Sequence, residues 1–135
     1  MKYKIEEIEG IGPTYGEKLK GAGIADTDVL LSRCGAKKGR TEVAKETGLD
    51  ESRLLKWANM ADLMRISGVG EEFSELLEAA GVDTVKELQH RNAENLAAKM
   101  AEVNEAKKLT RALPAATQVA KWIEQAKTLT PMISH

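Results

Sequence analysis

The sequence predicts an all-α protein: two helical repeats fused through a long central helix into one compact body. Three observations predict it. Residues 8–24, IEGIGPTYGEKLKGAGI, return as residues 66–82, ISGVGEEFSELLEAAGV, an offset of 58 from Gly10 to Gly68. The pairs Ile8/Ile66, Gly10/Gly68, Gly12/Gly70, Tyr15/Phe73, Leu19/Leu77, Ala22/Ala80, Gly23/Gly81 and Ile24/Val82 align in role. An apolar stripe around a tryptophan also occurs twice, as Leu54, Trp57, Ala58, Ala61 and as Val119, Trp122, Ile123, Ala126. Finally, two Trp, two Tyr and one Phe, with few β-branched runs, leave little from which to build a sheet.

In each copy an apolar residue closes one helix, a Gly-aliphatic-Gly turn reverses the chain, and a second amphipathic helix leaves at once. The first glycine can take a positive φ, and the second lets two backbones approach. Residues 2–8 are expected as the first arm, with Ile5 and Ile8 inward at i, i+3 spacing. Pro13 opens the second arm, where its missing N–H costs nothing, Gly23 stops it, and Tyr15, Leu19 and Ala22 form its inward stripe. Asp26 or Thr27 caps the next helix, around Val29 and Leu30, as Asp83 and Thr84 do before Val85 and Leu88.

Residues 32–40, SRCGAKKGR, read as a loop by composition. Thr41 then caps a helix carrying Val43 and Ala44, Gly48 terminates it, Leu49 packs back, and Asp50 caps a helix with no internal breaker before Gly68. Residues 51–67 are therefore expected as one long helix shared by both repeats, its end supplying the first arm of the second corner. Further helices are expected at 84–91, 93–101, 104–112 and, opened by Pro114, 114–128. The tryptophans are offset by 65 rather than 58, which places the extra length of the second repeat in 104–113. The repeats divide as 1–62 and 63–129, with 130–135 as a flexible tail.

The two glycine corners resemble the helix-hairpin-helix motif, hxGhGxxxAxxh, with Gly16 and Ser74 at its small-residue position. That resemblance implies a hold on nucleic-acid backbone, without reading sequence, through amides of the glycine turn and the following helix start. With the matching tryptophans, and with WANMADLMRISGVG and its echo WIEQAK, nearly the whole chain resembles the bacterial family called domain of unknown function 4332. The family implies a tandem helix-hairpin-helix or SAM-like bundle and brings no activity with it.

Composition narrows the function. The chain is 42% hydrophobic and 30% charged, a globular balance, and it has no apolar run near the about 18 residues of a membrane span. The start MKYKIEEIEG lacks the apolar stretch of a secretory signal, and the single Cys34 fits a reducing compartment, so a cytoplasmic protein is expected. Two histidines and one cysteine make no metal-ligand spacing. No nucleophile, base and orienter assemble and no phosphate loop of the GKT kind occurs, so no catalysis, cofactor or small-molecule substrate is expected. Net charge is −1, with 12 Lys+Arg against 11 Asp+Glu over residues 1–65 and 8 against 10 over 66–135. Any nucleic-acid face must therefore be local.

Four groups of residues are singled out. Gly10, Gly12 and the amides from Thr14 onward, with Lys18 and Lys20 nearby, form an anion site if the first corner holds phosphate. Arg33, Lys37, Lys38 and Arg40 concentrate positive charge that suits phosphate or an acidic protein. Glu71, Glu72, Glu75 and Glu78 line the helix after Gly68 and Gly70, which makes that corner a structural turn and its helix a protein-docking surface. Trp57 and Trp122 are core anchors. A helix-turn-helix reading of 41–57, with Ser52, Arg53 and Lys56 outward, competes less well because helix packing already explains its spacing. The expected function is a non-catalytic adaptor with a protein partner or self-association, and the alternative is sequence-independent binding to DNA or RNA backbone.

Overall fold

The structure is a computed structural model describing residues 2–135. After one 3-10 turn at Ile5–Glu7, the chain forms α1 Pro13–Gly21, α2 Thr27–Cys34, α3 Lys37–Thr47, α4 Glu51–Leu63, α5 Glu71–Ala79, α6 Val85–Leu88, α7 Ala93–Lys107 and α8 Ala116–Ala126. No strand forms among the described residues. The one extended pairing is a single bridge between Lys4 and Asp26. The protein is all-α.

Two buried clusters meet inside α4. Ile5, Ile8, Leu19, Ile24, Leu30, Val43, Leu54, Trp57 and Met64 belong to one. Leu63, Ile66, Leu76, Leu77, Val82, Leu96, Met100, Val119 and Trp122 belong to the other. Consecutive residues Leu63 and Met64 thus belong to different clusters, since successive residues at the end of the helix are turned about 100° from one another. The inward stripes read from the sequence, around Trp57 and Trp122, are buried.

The first glycine of each corner and the glycine ending each second arm do what their spacing predicts. At Gly12 and Gly70 an added Cβ would meet nothing within 4 Å, so no close backbone approach calls for glycine there. Gly10 and Gly68 have φ of 92° and 91°. After α1, the amide of Gly23 donates to Lys20 O at 2.9 Å and that of Ile24 to Leu19 O at 2.9 Å. After α5, Gly81 donates to Glu78 O at 3.0 Å and Val82 to Leu77 O at 2.9 Å. Both helices end in the same two-bond left-handed cap, which only a glycine enters without strain.

Several boundaries differ from expectation. The first arm is only the turn Ile5–Glu7, because its backbone is drawn off sideways: Ile5 N–H donates to Ala25 O at 3.1 Å and Thr27 N–H to Tyr3 O at 2.9 Å. The central helix stops at Leu63 rather than 67, tightening into three-residue turns in which Arg65 N–H donates to Asp62 O and Ile66 N–H to Leu63 O. The 84–91 helix shrinks to Val85–Leu88, and the last helix runs Ala116–Ala126 with Pro114 ahead of it. The two helices expected at 93–101 and 104–112 are a single α7 ending at Lys107. Asn104, where the second of these helices was expected to begin, lies inside α7 and holds the loop beyond it: its Oδ1 accepts from Thr110 N–H at 2.9 Å and its Nδ2 donates to Thr110 O at 3.2 Å.

The supposed loop 32–40 is a tight helical corner. α2 runs to Cys34, α3 begins at Lys37, and Thr41 sits inside α3, where its Oγ1 donates to Lys37 O at 3.1 Å. A Cβ at Gly39 would overlap the Arg33 carbonyl, so glycine is what lets the first turn of α3 lie against the end of α2. Residues 130–135, expected as a flexible tail, lie back on this corner. Ser134 N–H donates to Gly35 O at 2.8 Å, and Ile133 packs against the first cluster.

Candidate functional site

The first corner brings Gly10 beneath Trp57, where an added Cβ would stand 3.6 Å from the indole Nε1. The second brings Gly68 beneath Trp122 at 3.3 Å. Tyr15 leans on Trp57 with ring centroids 5.3 Å apart, and Phe73 on Trp122 at 5.2 Å. Each tryptophan therefore covers its own corner and leans on the aromatic ring of its own second arm, which makes both rings packing anchors. No side chain caps α1 at Gly12 or α5 at Gly70, so the first-turn amides of both helices point outward, as helix starts leave them.

What surrounds those amides decides what can approach them. At the first corner Thr14 and Lys18 are exposed, but Lys20 is ion-paired with Glu6. Of the basic group, Arg33 donates to Ala22 O at 3.1 Å and pairs with Glu46 at 3.1 Å. Arg40 is only 3% exposed, and its guanidinium donates to Cys34 O at 3.0 Å and Gly35 O at 2.8 Å, closing the carbonyl end of α2. Arg40 and Arg33, expected as outward basic charge, are thus both engaged by carbonyls within the fold. The reason is that the corner is helical, and its last carbonyls need donors. Lys37 and Lys38 remain exposed and, with Lys18, enter no ion pair among the described residues. Of the helix-turn-helix residues, Arg53 lies 5.1 Å over the Tyr15 ring and Lys56 pairs with Glu78 at 3.8 Å.

The acidic residues come together across the two corners. The Glu9 side chain comes within reach of the start of α5, and the pKa of Glu71 there is raised first by hydrogen bonding with Glu9, then by burial and by the charges of Glu9, Glu72 and Glu75. Burial, then the Glu9 charge, raises Glu75, with Lys56 and Lys107 partly compensating. Burial also raises Glu78, against the pull of Lys56. The sequence offered Glu71, Glu72, Glu75 and Glu78 by helical spacing. It gave no sign of Glu9, because only the packing of one corner against the other supplies it.

This arrangement titrates in a defined direction. Glu71, Glu75 and Glu78 hold their protons to higher pH when folded than at the ordinary 4.5, so over that interval the folded chain binds more protons than the unfolded one. The cost of ionising them in the folded chain is set first by burial at Glu75 and Glu78 and by the hydrogen bond with Glu9 at Glu71, with repulsion added. It is present at neutral pH and is relieved as pH falls through the raised values. The denaturation midpoint is expected to be higher at about pH 5 than at about pH 7.5, with Glu71→Gln shrinking the difference. Equal midpoints in the unaltered chain would show that folding does not tighten the hold of these carboxyls on their protons.

Sequence reasoning missed Asp62. It is 1% exposed, and its carboxylate accepts from Val85 N–H at 2.9 Å and from Arg65 Nη1 at 2.8 Å. Cys34 is also buried, and burial raises its thiol to about 11 despite Arg33 and Arg40 nearby, which leaves it almost wholly protonated at neutral pH. No group of three His, Cys, Asp or Glu among the described residues is placed to hold a metal ion. No helix among them is long and apolar enough to cross a membrane.

These features define an all-helical protein with two apolar clusters sharing α4 and an acidic surface where two glycine corners meet. The chain belongs to the family described as Domain of unknown function (DUF4332), which it matches over residues 9–129. No curated protein and no solved structure matches it.

Proposed function

We propose that the chain is a non-catalytic, cytoplasmic binding module that docks a protein partner with a basic surface through Glu9, Glu71, Glu72 and Glu75. The observation that carries this reading is the meeting of Glu9 with the first turns of α5, which concentrates carboxylates from two separate corners on one surface. Their repulsion stores free energy that Lys or Arg side chains of a partner would relieve, giving the surface electrostatic specificity. Polyanions meet the opposite: like charge stands over the helix start that a helix-hairpin-helix turn would otherwise offer to phosphate.

The second reading, contact with DNA or RNA backbone, is favoured by one observation at the first corner. The start of α1 has no side-chain cap, and Lys18, Lys37 and Lys38 are exposed. Titration into labelled duplex and single-stranded DNA, at low and at near-physiological salt, separates the two. The protein-docking reading expects no binding even at low salt. The nucleic-acid reading expects a log–log salt slope of about −3 to −5, for about four to six phosphates neutralised, which Lys37→Ala/Lys38→Ala should flatten. Light scattering reports self-association, and a partner captured by the unaltered chain should be lost with Glu71→Lys/Glu75→Lys. Retention of that partner would remove the acidic surface from the site.

A further inference from the structure

The segment after α8 occupies a site rather than merely ending the chain. Arg65 Nη1 donates to Thr130 O at 2.8 Å. Pro131, Met132, Ile133 and His135 line one hollow with Asp62 of α4, Thr84 before α6 and Lys86 within it, and His135 also lines a second with Ser52 and Leu55 of α4. The segment therefore folds back over α4 and reaches the α2–α3 corner. Its backbone is read at both polar positions: Ser134 N–H donates to Gly35 O at 2.8 Å, and Arg40 Nη2 donates to Ser134 O at 2.6 Å. Gly35 has no Cβ where Met132 O passes, so the α2–α3 corner admits a backbone strand where a side chain would exclude it. One side chain, Ile133, is partly buried on the first cluster, while the rest of the segment is exposed.

The fit is incomplete in a specific way. Arg40, 3% exposed, enters no ion pair among the described residues and is held by carbonyl oxygens alone. Asn59, on the same face of α4 as Leu55 and Asp62, is 8% exposed, and its Oδ1 is a buried acceptor without a hydrogen-bond donor. A buried cation gains more from a carboxylate than from a neutral carbonyl, and an orphaned acceptor gains from any donor that reaches it.

We propose that the groove formed by the α2–α3 corner and α4 is a peptide-docking site, occupied in cis by residues 130–134. Its ligand is an extended segment of a partner protein carrying an aliphatic residue at the Ile133 position followed directly by Asp or Glu at the Ser134 position. The carboxylate meets Arg40, and the cis segment acts as a weaker stand-in that keeps the groove covered until such a segment displaces it. This shares with the proposed function only the premise of a protein partner. It uses a different surface, so loss of acidic-surface docking leaves the groove untouched.

The test uses the full chain with Ile133→Gly/Ser134→Pro, which removes the aliphatic anchor and the N–H given to Gly35 O while leaving the helices as they are. A fluorescent peptide of residues 128–135 carrying Ser134→Asp is titrated into this variant and into the unaltered chain, and anisotropy is read. The variant is expected to bind at least about tenfold tighter, because the unaltered groove is already filled. The same peptide with Ile133→Gly should lose binding, and the peptide retaining Ser134 should bind at least about fivefold more weakly than its aspartate form. No binding to the variant up to about 100 μM, or equal affinity for the variant and the unaltered chain, would overturn the groove. Equal affinity for the serine and aspartate peptides would overturn the acidic specification.

Discussion

Truncating Trp122 to alanine is expected to lower the unfolding free energy by about 3–5 kcal/mol, a large part of the about 5–15 kcal/mol that holds a domain of this kind together. Trp122 is 2% exposed, its ring lies 5.2 Å from that of Phe73, and its Nε1 faces Gly68. Removing the indole thus opens a cavity at the point where α8, α5 and the second corner meet. The corner cannot collapse to fill that cavity, because the left-handed φ of Gly68 fixes its path. Trp57→Ala should cost a similar amount, since Tyr15 and Gly10 stand in the same relation to it. Urea denaturation followed by circular dichroism reads the effect as a lowered midpoint. A loss under about 1 kcal/mol would mean the corner does not rest on its tryptophan.

The second large effect is expected at Asp62. Asp62→Ala leaves the buried Val85 amide without its acceptor and the partly exposed Arg65 guanidinium with Thr130 O alone, and breaking such a contact from one side costs up to about 3–5 kcal/mol. Asp62→Asn should cost less, because an amide oxygen can still accept from Val85 N–H. Both are measured by the same denaturation, and an alanine variant as stable as the asparagine one would exclude this role. The reason for a carboxylate there lies in a comparison between corners. At the equivalent first-corner position the amide of Thr27 is satisfied by the backbone oxygen of Tyr3, which lies in a non-helical segment. Before the second corner the chain is still helical, its carbonyls are committed to the helix, and a side chain must supply the oxygen.

Local signals were legible where one residue type has one physical use. Gly10, Gly23, Gly68 and Gly81 take positive φ, Asp26 caps α2 by accepting from Val29 N–H at 2.9 Å, and Thr84 caps α6. The apolar spacing around Trp57 and Trp122 placed both rings in the interior. Signals failed where a residue had two uses and tertiary neighbours chose between them. Arg33 and Arg40 look like surface charge in a run of basic residues, yet the carbonyls at the end of α2 and Ala22 O take them inward. Asn104 looks like a helix start and holds a loop instead.

Alone, the order of residues determined that this protein is helical, that two glycine corners turn it, and which faces are apolar, because φ preference and hydrophobic period act over a few neighbouring positions. Only the tertiary structure decided which charges remain available to a ligand. Glu9 joins Glu71, Arg40 turns inward and Ser134 returns to Gly35 through contacts between residues far apart in the chain, and no local period encodes such a meeting.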